Sequence, residues 1–203
     1  MITVRYYHES DSQAVGRLIA NTYGEFNLSF APPEERGPFL GPFRHARSLE
    51  KAHQDAIAEV VRAAMVYVAE EDGEVVGVLR GRKGRLASLF VRGDRHRQGI
   101  GRRLVFEKES IGQGVSAVRV ASALYAVPFY LALGYKRSTG MREGRSFEGR
   151  GLKVQPMRKV LGVASEGAPP PSPRDYPSPR SAPSAAPGTR RGRRQRPSAR
   201  STG

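Results

Sequence analysis

The chain has 203 residues, with 34 Lys or Arg against 19 Asp or Glu, no cysteine and a formal net charge of +15. The missing cysteines exclude a disulfide framework, a thiol nucleophile and a cysteine-based zinc site. The four histidines lack metal-ligand spacing, so we expect no metal. The polar first residues predict no signal peptide, and no apolar run approaches the roughly 20 residues of a membrane span. Together these features predict a cytoplasmic protein that does not enter a membrane.

Composition divides the chain into a body, 1–162, and a tail, 163–203. The tail holds nine of the 15 prolines and eight arginines against two acids. Its low apolar content predicts a disordered segment, because little buried surface would offset the loss of chain entropy. The run RRGRRQR at 190–196 could hold RNA, DNA or an acidic membrane face, and weak nucleic-acid contact is the partner we expect. The alternative is a solvated tail with only non-specific, salt-sensitive attraction.

The first third of the body alternates a strand with helices. The segment ITVRYY (2–7) has strand composition, and Ser10 or Asp11 can begin a helix that continues to about Tyr23. Residues 24–47 contain four prolines and are expected to be irregular. A second helix is predicted from Ser48 to about Ala64.

The rest of the body contains strands at 65–70, from 74 onward, and at 86–91, the first two forming a hairpin. A helix at 100–112, a strand at 118–122, a short helix at 127–133 and a strand near Tyr135 follow. The segment LKVQPMRKVL is expected to supply an edge strand, where Pro156 would be tolerated. This order predicts an α/β (α+β) fold with a mixed, mostly antiparallel sheet and helices on both faces.

A basic turn after the strand at 86–91 carries the clearest chemical signal. Gly99 and Gly101 open the next helix, and glycines there let the backbone approach an anion near the free N–H groups of the helix start. The chain has no Gly-Lys-Ser/Thr, which excludes a Walker A loop. The third glycine of a dinucleotide fingerprint is replaced by Leu104. Two interpretations stay open, a metal-free pyrophosphate site and an ordinary tight turn.

The stretch LFVRGDRHRQGIGRRLV resembles the acetyl-CoA-binding motif of the GNAT superfamily of N-acyltransferases, with His96 in the Arg/Gln position as a departure. The resemblance implies a GNAT-like fold and acetyl-CoA as the acyl-donor substrate. It implies that the turn amides hold the coenzyme pyrophosphate and that the preceding strand pairs with pantetheine through its main chain. The coenzyme-binding residues implied are Leu89, Phe90, Val91, Arg97, Gln98, Gly99, Ile100, Gly101 and Arg102.

A second stretch, VASALYAVPFYLALGYK (120–136), is similar to the later signature of the same superfamily. The resemblance places Tyr130 in the position of the general acid that protonates the departing CoA thiolate. A departure is Ala121, where many relatives carry an asparagine that contacts the coenzyme. The alternative for Tyr130 is a packing role on a short helix.

We therefore expect an acetyl-CoA-dependent N-acetyltransferase that acts on a small-molecule or peptide primary amine, as a monomer or homodimer. Acceptor recognition is expected in 24–47, where Phe26, Phe30, Phe39 and Phe43 would wall a slot, or would merely dock the loop on the core. No general base is identified. Two alternatives are a nucleic-acid-associated protein acting through the tail and a CoA-binding, non-catalytic member of the superfamily.

Overall fold

A computed structural model describes residues 1–106 and 114–161 of the chain. The predicted disordered tail and the end of the helix predicted at 100–112 lie outside the described residues. The strands are β1 Ile2–Tyr6, β2 Met65–Glu71, β3 Glu74–Arg82, β4 Arg85–Val91, β5 Ala117–Ala123, β6 Lys136–Arg137, β7 Arg142–Arg145 and β8 Arg150–Val160. The helices are α1 Ser12–Thr22, α2 Gly37–Leu40, α3 Lys51–Val61, α4 Ile100–Phe106 and α5 Val127–Ala132.

The strands form one eight-stranded sheet in the order β1-β2-β3-β4-β5-β8-β6, with β7 also paired to β8. Every pair is antiparallel except β4 with β5, which run parallel. A parallel neighbour needs a long crossover, and the segment containing α4 supplies it. The predicted mixed, mostly antiparallel sheet with helices on both faces is confirmed.

Two hydrophobic cores lie on opposite faces of this sheet. One contains Ile100 and Leu104 of α4 together with Tyr130 of α5. The other contains Ile19 of α1 and Ile57 of α3. Neighbouring strand residues divide between the two cores, because side chains alternate across a strand and both faces are covered.

The expectation that β8 is an edge strand is wrong. It pairs with β5 along one side and with β6 and β7 along the other. The carbonyl of Pro156 accepts a hydrogen bond from Ser138 N–H at 3.0 Å. The ring nitrogen therefore faces the same side, where β6 ends at Arg137 and β7 begins only at Arg142. Proline is tolerated because the missing donor points at this break between the two short strands.

Candidate active site

The parallel strands β4 and β5 separate to form a wedge-shaped gap in the sheet. They pair only at Arg85 with Arg119 and at Leu86 with Val120. Beyond these residues the two strands have no pairing with each other, although β4 continues to Val91 and stays paired to β3. The gap therefore leaves backbone hydrogen-bonding groups of β4 open to an extended ligand that would take the place of a strand.

Alternation along β4 decides which of the predicted strand residues face the gap. The N–H of Arg92 donates to the Val76 carbonyl of β3 at 2.9 Å. Phe90 has the same parity, so its backbone groups face β3, and its side chain is buried in the core under α1. Leu89 and Val91 have the opposite parity and turn their backbone groups toward the gap. The structure thus places Leu89 and Val91 at the predicted site and directs Phe90 away from it.

His96, the departure from the family motif, closes part of this gap. Its Nε2 lies 2.8 Å from the Val91 carbonyl oxygen, and since a carbonyl only accepts, Nε2 carries the proton. The ring also lies against Phe26, with 4.6 Å between ring centroids. His96 therefore supports the end of β4 instead of pointing toward the glycine turn.

The glycine turn has the backbone shape of an anion cradle. Arg97 and Gly99 both have positive φ, 63° and 82°, and Arg103 N–H donates to the Gly99 carbonyl as α4 begins. A Cβ on Gly99 would meet nothing within 4 Å, whereas one on Gly101 would lie 3.3 Å from Phe129. Gly99 therefore gives the turn a second residue of positive φ, beside open space, and Gly101 lets α4 pack against α5. The Ile100 side chain is buried beneath the turn.

Several arginines of the turn are already engaged within the protein. Arg95 pairs with Glu71 at 2.6 Å and Arg92 with Glu74 at 2.8 Å. Arg103 donates to the Ile2 carbonyl at 2.6 Å. The Gln98 amide donates to the Asp94 carbonyl within the turn, and the Arg102 guanidinium lies 5.5 Å from the Phe106 ring centroid. The backbone amides and the exposed Arg97 are thus the groups of the turn directed at solvent.

Tyr130 lies on α5 and is 5% exposed. Its ring makes edge contacts with Phe129 and Tyr135 at centroid distances of 5.1 and 5.4 Å. Burial, and to a lesser degree the neighbouring Tyr135 and Tyr125, raise the pKa of the Tyr130 hydroxyl well above its usual range. The phenol is therefore protonated throughout the physiological pH range, as a proton donor must be.

Sequence reasoning missed a polar contact that links the segment after α1 to the segment before α5. The Tyr125 hydroxyl donates to Asn27 Oδ1 at 3.2 Å, and its ring lies 5.9 Å from Phe26. Burial raises the pKa of Tyr125 to about 12. The only signal in the sequence was the short spacing of Tyr125 and Tyr130. Nothing in it connected Tyr125 to Asn27.

The phenylalanines of the predicted acceptor segment do not form one slot. Phe43 is 1% exposed and packs on Phe147 at a centroid distance of 4.6 Å. Phe30 is 63% exposed and meets Phe39 edge-on. Phe43 therefore docks the segment on the core, and Phe26 is the member that lies by the gap.

A cleft of about 960 Å³ lies between α1, the β2–β3 turn and residues 92–94. None of the predicted coenzyme residues lines it. Within 1–106 and 114–161, no group of three His, Asp or Glu side chains is placed to hold a metal ion. In the same part of the chain, no helix combines the length and the apolar character needed to cross a membrane.

The sequence and the fold were compared with those of known proteins. The family model for the acetyltransferase (GNAT) domain matches residues 40–161. A search of curated protein sequences finds no match. A GCN5-related N-acetyltransferase from Rhodopseudomonas palustris superposes with a TM-score of 0.60 at 18% identity, over 78% of this chain and 95% of that one.

Two further structures are similar over nearly their whole length. The PaiA N-acetyltransferase from Thermoplasma acidophilum, in complex with coenzyme A, has a TM-score of 0.57 at 14% identity, covering 79% of this chain and 99% of its own. The ribosomal-protein-S18-alanine N-acetyltransferase from Escherichia coli has a TM-score of 0.51 at 17% identity, covering 83% and 99%. At these identities the likeness shows the fold.

An opened parallel strand pair with a glycine turn at its mouth defines a class of acyltransferase fold. The family match covers more than half of the chain. The protein belongs to the GNAT acetyltransferase family, whose fold supports acyl transfer.

Proposed function

We propose that the protein is an N-acetyltransferase that moves an acetyl group from acetyl-CoA to a primary amine, with residues 1–162 as its catalytic domain. The observation that carries the proposal is the end of β4, which is paired to β3 but not to β5. Leu89 and Val91 turn backbone groups into a gap whose mouth is the positive-φ turn at Arg97 and Gly99. An extended pantetheine arm would use the first feature and a pyrophosphate the second.

The fit of acetyl-CoA can be judged residue by residue. The open space beside Gly99 leaves room for phosphate oxygens. The amides from Gln98 to Arg102 would hold the pyrophosphate, with Arg97 adding charge. The Val91 carbonyl already accepts from His96, so the Leu89 groups and the Val91 N–H would hold the pantetheine. Phe90 would contribute by packing and not by a main-chain contact.

The reaction then needs one proton donor on the leaving-group side. The amine nitrogen attacks the thioester carbon, the carbon–sulfur bond breaks, and the Tyr130 hydroxyl gives its proton to the thiolate. The attacking amine loses one proton to solvent, from which the tyrosinate regains its own. Because burial raises the pKa of Tyr130, the hydroxyl carries its proton at neutral pH before the thioester reacts.

The acceptor is proposed as a small-molecule or peptide amine. One structural neighbour is, by its name, an N-acetyltransferase for an alanine of ribosomal protein S18. A peptide beginning with alanine is therefore included among the first acceptors to test, beside a polyamine and an aminoglycoside.

Calorimetric titration of acetyl-CoA into the full-length protein tests the coenzyme site, and thiol release with the amine panel tests turnover. Micromolar binding together with thiol release is expected. Absence of binding at near-millimolar acetyl-CoA would overturn the proposal. Binding without release from any amine would support a CoA-binding, non-catalytic member of the family.

A further inference from the structure

A line of basic side chains crosses the sheet at the end remote from the glycine turn. The strand registers make each member the direct partner of the next. Arg82 of β3 faces Arg85 of β4, Arg85 faces Arg119 of β5, Arg119 faces Arg158 of β8, and Arg158 faces Lys136 of β6. We call these five residues the basic row.

The members of the basic row share one face of the sheet, because directly opposed strand residues point the same way. Val118 and Val120, which flank Arg119, are buried in the core under α4 and α5. Arg119 therefore points to the opposite face. All five side chains are exposed, and adjacent strands lie about 4.8 Å apart, so the row spans about 19 Å.

No carboxylate neutralises the row within the described part of the chain. None of its members takes part in an ion pair there, whereas the arginines near the glycine turn are paired. Strands β4, β5, β6 and β8 contain no Asp or Glu at all. Like charges directly opposite one another destabilise a sheet. Five successive cations therefore carry a cost in stability that a bound anion would remove.

The shape of the row selects the kind of anion. Along β5 and β8 it is one residue wide, because the residues two positions away are Ala117, Ala121, Pro156 and Val160. On β3, Arg80 lies two positions from Arg82, but its guanidinium is bonded to the carbonyls of Val60 and Val61. A lipid headgroup layer would match a two-dimensional patch, but a single line matches a linear polyanion. Four of the five members are arginines, whose planar forks bind phosphate oxygens in pairs. No aromatic side chain belongs to the row, so it offers no stacking platform for bases.

We propose that the basic row is a binding surface for the phosphate backbone of a nucleic acid, read without sequence preference. None of its five residues belongs to the tail at 163–203 or to the proposed acyl-transfer site. Arg85 and Val91 lie six residues apart on β4, about 20 Å, so a strand of nucleic acid on the row leaves the gap accessible.

The test uses the full-length chain in a background where the five arginines of 190–196 are replaced by glutamine, so that the tail contributes little charge. A fluorescein-labelled 20-nucleotide oligo-dT is the probe, read by anisotropy. Five phosphate contacts predict a slope of about −3.5 in log affinity against log salt, which is about a 100-fold loss between 50 and 200 mM.

The decisive variant is Arg119→Glu with Arg158→Glu. The matched control is Arg17→Glu with Arg47→Glu, which changes the net charge equally at exposed positions outside the row. We expect the row variant to bind the oligonucleotide at least tenfold more weakly with a shallower salt slope, and the control to change less than threefold. Equal weakening in both variants would show that only net charge matters and would overturn the proposal.

Two further experiments identify the class of ligand and the surface that binds it. Polyglutamate, or vesicles with 30% phosphatidylserine, binding more tightly than the oligonucleotide with the same dependence on the row would overturn nucleic acid as the ligand. In a lysine-acetylation footprint, bound oligonucleotide should protect Lys136 but leave Lys51 of α3 reactive. Equal reactivity of Lys136 with and without saturating oligonucleotide would place binding elsewhere. The milder Arg119→Gln with Arg158→Gln repeats the test if the glutamate variant fails to fold.

Discussion

Basic residues lie at both ends of β4, but they are paired with carboxylates at only one of the two ends. At the end beside the gap, Arg92 and Arg95 are held by Glu74 and Glu71. At the other end, Arg85 faces Arg119 across the parallel pair, and neither has an ion-pair partner among the described residues. At the end beside the gap, an anion would therefore bind mainly to backbone amides with fixed geometry. At the Arg85 end, it would bind mainly to charged side chains. The number of arginines in a segment does not by itself indicate which kind of site it forms.

The largest expected effect separates the two ends directly. Gly99→Glu should weaken acetyl-CoA binding by at least 100-fold, because the new carboxylate would occupy the open space intended for phosphate. Gly73→Glu is the matched control, since Gly73 has nearly the same φ, 84° against 82°, and equally open surroundings. Both variants therefore carry similar backbone strain. Titration calorimetry and thermal melts measure the difference.

The Gly99→Glu variant and the basic-row variant can each be measured for binding of both acetyl-CoA and the oligonucleotide. Gly99→Glu should leave oligonucleotide binding by the basic row within about twofold, and the row variant should leave acetyl-CoA affinity within about twofold, because additivity holds for distant sites. Loss of acetyl-CoA binding in the Gly73 control as well would attribute the effect to strain and remove Gly99 from the site.

The next effect concerns turnover alone. Tyr130→Phe should lower kcat by about 10- to 100-fold with little change in acetyl-CoA affinity, because the lost interaction exists only in the transition state. Since burial raises the Tyr130 pKa, the wild-type rate should show no alkaline loss from this group below pH 10. Tyr125→Phe, which removes only the bond to Asn27, is the comparison. If kcat fell equally or further in the Tyr125 variant, the general-acid role would be assigned to Tyr125 and not to Tyr130.

Much of this arrangement follows from local sequence, and the exceptions have physical causes. The hairpin of β2 and β3 and the glycine turn are confirmed because apolar runs and glycines report local geometry. Strand β7, with the sequence REGR, has no apolar alternation and is formed only by pairing with β8. The status of β8 was predicted wrongly because a strand's neighbours are chosen by the whole sheet.

Site residues divide in the same way. Gly99 and Gly101 could be located from spacing, but only the positive φ of Gly99 depends on its own backbone, whereas Gly101 leaves room for Phe129 of α5. The contact of His96 with Val91 and the bond between Tyr125 and Asn27 join residues by tertiary packing. The basic row is likewise formed by the registers of five strands, so no segment of the sequence displays it.

A smaller effect tests how the end of β4 is held. His96→Ala should raise the KM for acetyl-CoA about three- to tenfold with kcat nearly unchanged, because Val91 loses the donor that fixes its carbonyl. His96→Gln keeps a donor of similar reach and should restore most of the affinity. Steady-state kinetics with varied acetyl-CoA measure both. Tighter binding in the alanine variant would show instead that His96 competes with the coenzyme for this carbonyl.

The smallest effect tests whether the basic row is costly to the fold. Arg119→Glu places a carboxylate between Arg85 and Arg158, so two repulsive cross-strand pairs become attractive. The free energy of unfolding should rise by about 0.5 to 1 kcal/mol at low salt, and the gain should shrink as salt screens the pairs. Urea unfolding of the single variant, beside Arg17→Glu as a control outside the sheet, measures it. A more stable protein that binds nucleic acid less well would mean that the row is retained for its ligand and not for the fold. A destabilised variant would mean that the arginines stabilise the sheet by packing, and the stability argument for the row would fail.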